Sequence, residues 1–117
     1  MTRVEIKKYI KKKYKVDSVA LWADAPTYIV FRNSKNKWFG IIMDVPYNKV
    51  YRNSDKDNII DVMNVKLDPE LITSIKNTKG FAEAFHMNKT HWVSIEISKV
   101  SDAKIKTLIE MSFNNVL

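Results

Sequence analysis

The stretch Phe81-Ala82-Glu83-Ala84-Phe85-His86-Met87-Asn88-Lys89-Thr90-His91-Trp92-Val93-Ser94-Ile95-Glu96-Ile97 decides the fold. Two apolar runs flank a polar, turn-prone centre, which is the pattern of a β-hairpin. The second run alternates: His91, Val93, Ile95 and Ile97 take one face, and Trp92, Ser94 and Glu96 take the other. The mainly apolar first set is expected to face a helical layer. A two-residue turn at Asn88-Lys89 would set His86 opposite His91 and Phe85 opposite Trp92. Lysine in the second turn position disfavours positive φ, so a three- or four-residue loop competes. A one-residue change would exchange the faces.

The chain preceding this hairpin supplies three more strands and two helices. Thr2 and Glu5 form a capping box for a helix running to about Tyr14. At about 100° per residue, Ile6, Tyr9, Ile10 and Tyr14 share one arc. Lys7, Lys8, Lys11, Lys12 and Lys15 share the opposite one, and Lys13 lies near the apolar side. Residues 16–26 connect, with a short irregular strand at 19–22. Thr27 to Arg32 and Trp38 to Val45 read as a strand pair across the polar loop 33–37. Strict alternation puts Phe39, Ile41, Met43 and Val45 on one face, and Trp38, Gly40, Ile42 and Asp44 on the other. After a polar loop over 47–58, Ile59 to Leu67 is the third strand, with Met63, Val65 and Leu67 inward. Asp68-Pro69-Glu70 starts a helix, which stops before Gly80. Ser101 caps the last helix, striped by Ile105, Leu108, Ile109, Ser112 and Phe113. The order predicts a two-layer α+β domain over residues 1–117, α-β(3)-α-β(2)-α, with a five-stranded antiparallel sheet and helices on one face.

Composition narrows the function classes. The chain has 117 residues, no cysteine and a net charge of +7, so disulfides and thiolate metal sites are excluded. Residues 1–15 hold seven basic side chains against one acidic, whereas the rest hold 13 against 12. The basicity is therefore local, and Lys7, Lys8, Lys11, Lys12 and Lys15, with Lys89 at the hairpin tip, are candidate phosphate contacts. No apolar segment follows the basic start, so neither a signal peptide nor a membrane partner is expected.

The two histidines lack a nucleophile or carboxylate on their face, and two imidazoles without cysteine make a poor metal site. No catalytic group, metal or cofactor is expected, and the imidazoles are read as hydrogen-bonding the turn. If the second sheet face is bare, Trp38, Phe85, Trp92 and Ile42 form an aromatic patch for a protein partner or a second copy. The alternative is that the long loop or a helix end covers it.

The heptapeptide His86-Met87-Asn88-Lys89-Thr90-His91-Trp92 resembles the HMNKxHW signature of the MmcQ/YjbR-like family. Thr2-Arg3-Val4-Glu5, Val30-Phe31-Arg32 with Lys37-Trp38-Phe39-Gly40, Asn64-Val65-Lys66-Leu67-Asp68-Pro69-Glu70, and Ser101-Asp102 resemble other family segments in order. The chain departs from the family at Ala23-Asp24-Ala25-Pro26-Thr27 and in the polar first hairpin loop. The resemblance implies a fold similar to type III secretion chaperones and a bacterial cytoplasmic protein of a group described as DNA-binding. It transfers no catalytic residue, and directs attention to His86, Asn88, Lys89, His91 and Trp92.

Overall fold

The computed structural model describes residues 1–117. Helix α1 spans Arg3–Tyr14, strand β1 Ile29–Arg32, β2 Trp38–Pro46, α2 Tyr47–Val50, β3 Ile59–Lys66, α3 Pro69–Ile75, β4 Phe81–Glu83, β5 Trp92–Glu96 and α4 Asp102–Asn115. The sheet is antiparallel throughout, in the order β1-β2-β3-β5-β4. The fold is thus the expected α+β arrangement. The loop reading of 47–58 missed only the one-turn helix α2, whose Val50 packs on the sheet face opposite the main core.

Helix starts follow the local chemistry. The Thr2 hydroxyl accepts from the Glu5 N–H and the Glu5 carboxylate accepts from the Thr2 N–H, closing the capping box. These bonds hold the Glu5 carboxyl below the usual range. Ser101 caps α4 by accepting from the Lys104 N–H. Asp68 occupies the cap of α3 but makes no capping bond, and the proline behind it starts the helix.

The main core lies between the sheet and α1, α3 and α4. It joins Ile6 and Ile10 of α1, Ile72 of α3, and Ile105, Leu108 and Ile109 of α4 to Phe31, Ile42, Met63, Val65, Val93 and Ile95. Each fully buried aliphatic or aromatic side chain contributes about 1.5–3 kcal/mol, so this layer dominates the stability.

A β-bulge corrects the expected alternation in β2. Phe31 pairs with Gly40 but Arg32 pairs with Trp38, leaving Phe39 as the extra residue. The bulge reverses the phase at that point. Phe39 and Ile42 consequently both join the helix-side core, while Trp38, Ile41, Met43 and Val45 belong to the second face. The buried Ser112 hydroxyl of α4 serves this irregularity. It donates to the Phe39 carbonyl (2.6 Å) and accepts from the Lys66 N–H (2.8 Å).

The second sheet face is covered rather than bare. Val30, Ile41, Met43, Val45, Val62 and Ala82 form a smaller core beneath Tyr28, Trp38, Tyr51, Phe85 and Met87. Trp22, from the connection before β1, packs edge-on against Trp38 (centroids 5.9 Å) and Tyr28 (6.3 Å). Of the patch residues, Trp38 and Phe85 are half-buried, Trp92 is buried and Ile42 lies on the other face. The covering segments come from 22–28, 47–51 and 85–87, so the alternative of a covered face is the one realised.

Candidate nucleic-acid interface

The lysine face begins with a rigid helix. Arg3 anchors it: the guanidinium donates from Nε and NH2 to Asp61 and from NH1 to the Thr27 carbonyl, with Asp44 3.7 Å away. Arg3 is thereby used in tertiary structure. Lys7, Lys8, Lys11, Lys12 and Lys15 are all exposed, as the helical arc predicts. Lys11 pairs with Asp17 at 2.9 Å, and the Lys15 amine donates to the Lys12 carbonyl. Lys7, Lys8 and Lys12 take part in no ion pair.

Lys13 behaves differently, as its position near the apolar arc requires. Its amine reaches Glu110 at 2.8 Å and the Tyr9 hydroxyl at 3.3 Å, over the rings of Tyr9 and Tyr14. Those bonds, to Glu110 above all, hold its pKa above the ordinary lysine value. It ties α1 to α4 and is not free for a ligand.

The hairpin takes a register one residue away from that of a two-residue turn. Phe81 faces Ile95, Ala82 faces Ser94 and Glu83 faces Val93, and the ladder ends there. Residues 84–91 form a long connection with His86 in the left-handed region, φ 56°. His86 and His91 are therefore not cross-strand neighbours, and Phe85 is not the partner of Trp92, which pairs with Lys66 of β3. Both imidazoles are exposed. His86 stacks on Phe85, at a centroid distance of 4.0 Å. Neither ring makes a hydrogen bond to the turn, so the fastening role expected of them falls to other residues.

Asn64, Ser94 and Asn88 do that fastening. The buried Ser94 hydroxyl donates to Asn64 Oδ1 and accepts from the Phe85 N–H, while Asn64 Nδ2 donates to the Phe85 carbonyl. Every polar atom of this ring is satisfied, which a buried network requires. Asn88 Oδ1 accepts from the N–H groups of Thr90 and His91, and its carbonyl accepts from the Trp92 N–H. Asn88 of the heptapeptide is thus a turn former, and Met87 packs on the second-face core.

Lys89 shares no recess with the helix lysines. It borders a cleft of about 610 Å³ along β4, with Lys49, Arg52, Lys76, Lys79 and Lys99. The end of α1 instead borders the other margin of the sheet, where Tyr14 and Lys15 share a recess with Arg32 of β1. Lys89 therefore borders the β4 edge, whereas Lys15, at the end of α1, lies at the β1 edge. Five of the six cleft cations escaped sequence reading because they are spread, singly or in pairs, over three separate segments. No local pattern marks them.

Two anions accompany those cations. Glu83 approaches Lys76 at 3.9 Å, and the buried Glu96 carboxylate accepts from the Tyr51 hydroxyl at 2.8 Å. Burial, with Glu96 beside it, pushes the Tyr51 phenol well above its ordinary pKa. A second, apolar recess of about 310 Å³ is lined by Trp22, Tyr28, Trp38, Met43, His86 and Met87 among others. No helix is long and apolar enough to cross a membrane.

Sequence and structure both find close counterparts. The YjbR family model matches residues 11–115. The uncharacterised protein YyaQ of Bacillus subtilis is 34% identical over 116 residues, covering 97% of each chain. A crystal structure of a Pseudomonas syringae protein is 35% identical, covers 96% of both chains and superposes with a TM-score of 0.90. A solution NMR structure from Pseudomonas syringae is 34% identical, with a TM-score of 0.87 over 100% of this chain and 94% of that one.

Proposed function

The chain belongs to the YjbR family, and from that premise we propose that it binds DNA through phosphate contacts from the lysine face of α1. The observation that carries this reading is the row Lys7, Lys8 and Lys12, exposed and free of ion pairs on a helix anchored at both ends. A convex row of ammonium groups offers charge without base-reading geometry, so binding is largely independent of sequence. Lys89 and the hairpin, at the other sheet margin, contribute only by long-range attraction or by a separate contact.

Fluorescence anisotropy with a labelled duplex tests the reading. Binding is expected at low salt, with a log–log salt slope of about −3 if three phosphates are neutralised. Lys7→Glu, Lys8→Glu and Lys12→Glu together should abolish it, while Lys89→Glu should change affinity by less than about threefold. Absence of binding by the unaltered chain at roughly 50 μM at low salt would refute it, since non-specific binders fall within that range.

A further inference from the structure

The two edges of the sheet are treated differently. At β1 the chain covers its own edge: Val19 and Val30 exchange N–H to carbonyl bonds, both 2.9 Å. At β4 no segment does so. The hydrogen-bond phase identifies which groups are left over. Leu67 donates to the His91 carbonyl and Ile97 to the Asp61 carbonyl, so odd-numbered residues of β5 bond to β3. Even-numbered ones turn to β4, as Glu96 does in donating to the Gly80 carbonyl at 2.8 Å. On β4 the even residue Ala82 accordingly faces β5, and Phe81 and Glu83 aim their backbone groups outward. The Phe81 N–H is satisfied by the Thr78 carbonyl. The Glu83 N–H and carbonyl and the Phe81 carbonyl remain for something else.

Those groups line the floor of the cleft that holds Lys89. One wall is the segment from Tyr47 to Asn53, the other the turn from Lys76 to Gly80. The cleft is therefore a trough lying along an open strand edge. Its cations are Lys49, Arg52, Lys76, Lys79, Lys89 and Lys99. Only Lys76 has a carboxylate nearby, and Glu96 is already engaged by Tyr51.

We infer that the β4 edge is a docking site for an extended acidic peptide segment of a partner protein, which adds a sixth strand beside Glu83 while its carboxylates meet the trough lysines. Main-chain bonds to Glu83 supply strand register, and alternate side chains meet the two walls. The same cations reject a second copy of this chain, whose β4 edge would bring six like charges into the trough. A nucleic acid strand would satisfy the lysines but has no peptide group for the Glu83 edge. This surface is separate from the α1 face, so the inference does not depend on duplex binding.

The full-length chain is titrated with a fluorescein-labelled peptide of alternating Glu and Val. Comparison ligands are the same peptide N-methylated at alternate residues, a dT oligomer and inorganic triphosphate. Binding that weakens with salt is expected, with a loss of about tenfold on N-methylation, because a main-chain bond is removed without change of charge. Arg52→Glu and Lys79→Glu should each weaken the acidic peptide by about tenfold, while Lys8→Glu leaves it unchanged and weakens duplex binding. Hydrogen exchange at the Glu83 amide should slow in the complex. Equal affinity of the methylated peptide, an unchanged Glu83 amide, or no binding at about 1 mM peptide would overturn the inference. So would stronger competition by the dT oligomer or triphosphate, which would make the trough a general anion site.

Discussion

The Ser94 hydroxyl donates to Asn64 Oδ1 across the β3–β5 pair, in the interior of the sheet's second face. Both residues are fully buried. The same hydroxyl accepts from the Phe85 N–H, and the Asn64 amide returns to the Phe85 carbonyl. This ring joins three strands' worth of chain at one point and sets where the signature loop leaves the sheet.

Ser94→Ala leaves the Phe85 N–H and Asn64 Oδ1 unpaired at a buried point of the sheet. The expected loss is about 2–3 kcal/mol, measured by urea unfolding. Backbone amides of 84–88 should lose hydrogen-exchange protection in the same variant. A loss under about 0.5 kcal/mol would mean that water replaces the hydroxyl without cost.

The loop's polar residues should separate into turn formers and bystanders. Asn88→Ala removes the acceptor for two backbone N–H groups and should cost about 1–2 kcal/mol. His91→Ala removes an exposed ring with no hydrogen bond and should stay within about 0.5 kcal/mol. Thermal or urea midpoints of the pair decide the point, and a larger effect at His91 would restore the imidazole as the fastening.

The two glycines should respond unequally to Ala. Gly80 has φ 86°, and an added Cβ would meet Val100 Cγ2 at 2.6 Å. Backbone strain and a branched, short side chain combine there, so Gly80→Ala should cost about 2–3 kcal/mol. At Gly40 the Cβ would meet the terminal methyl of Met63, also at 2.6 Å, and that flexible end can swing aside. Gly40→Ala should cost about 1 kcal/mol. The reverse order in denaturation midpoints would contradict the geometry.

Alkaline pH should destabilise the fold through its tyrosines. Burial raises the pKa of Tyr14, Tyr28 and Tyr51 above the ordinary 10.0, and at Tyr51 the bond to Glu96 adds to it. A raised phenol pKa means that the folded chain holds its proton more tightly than the unfolded chain. The stabilisation is complete below about pH 10 and is lost as pH rises through the folded values. Urea midpoints should decline above about pH 10, with absorbance at 295 nm rising alongside unfolding. Tyr51→Phe should decline less steeply, and a slope equal to that of the unaltered chain would exclude Tyr51 as a source.

Much of this molecule is legible locally. Thr2, Glu5, Ser101 and Pro69 mark helix starts because caps satisfy backbone groups within one turn of chain. The lysine arc of α1 is legible because helical spacing alone separates it from Ile6 and Ile10. The β3 and β5 alternation is also legible, since one face of each strand meets the helices. The β2 assignment fails at Phe39, where one bulged residue inverts a period of two. The hairpin register stays open in the sequence for a related reason: the longer connection is chosen where Asn64, some 20 residues upstream, grips Phe85.

The sequence by itself determined the order of elements, the helix-side core and the family, because each rests on spacings within a dozen residues or on a contiguous signature. Tertiary structure alone decided which sheet edge stays open and what surrounds it. The six cations of the β4 trough come from four separate segments, and Val19, within the irregular strand expected at 19–22, closes the opposite edge by a single bridge to Val30. Charge and hydrogen-bond vacancies of that kind are sums over chain segments brought together by folding, and no window along the chain contains them.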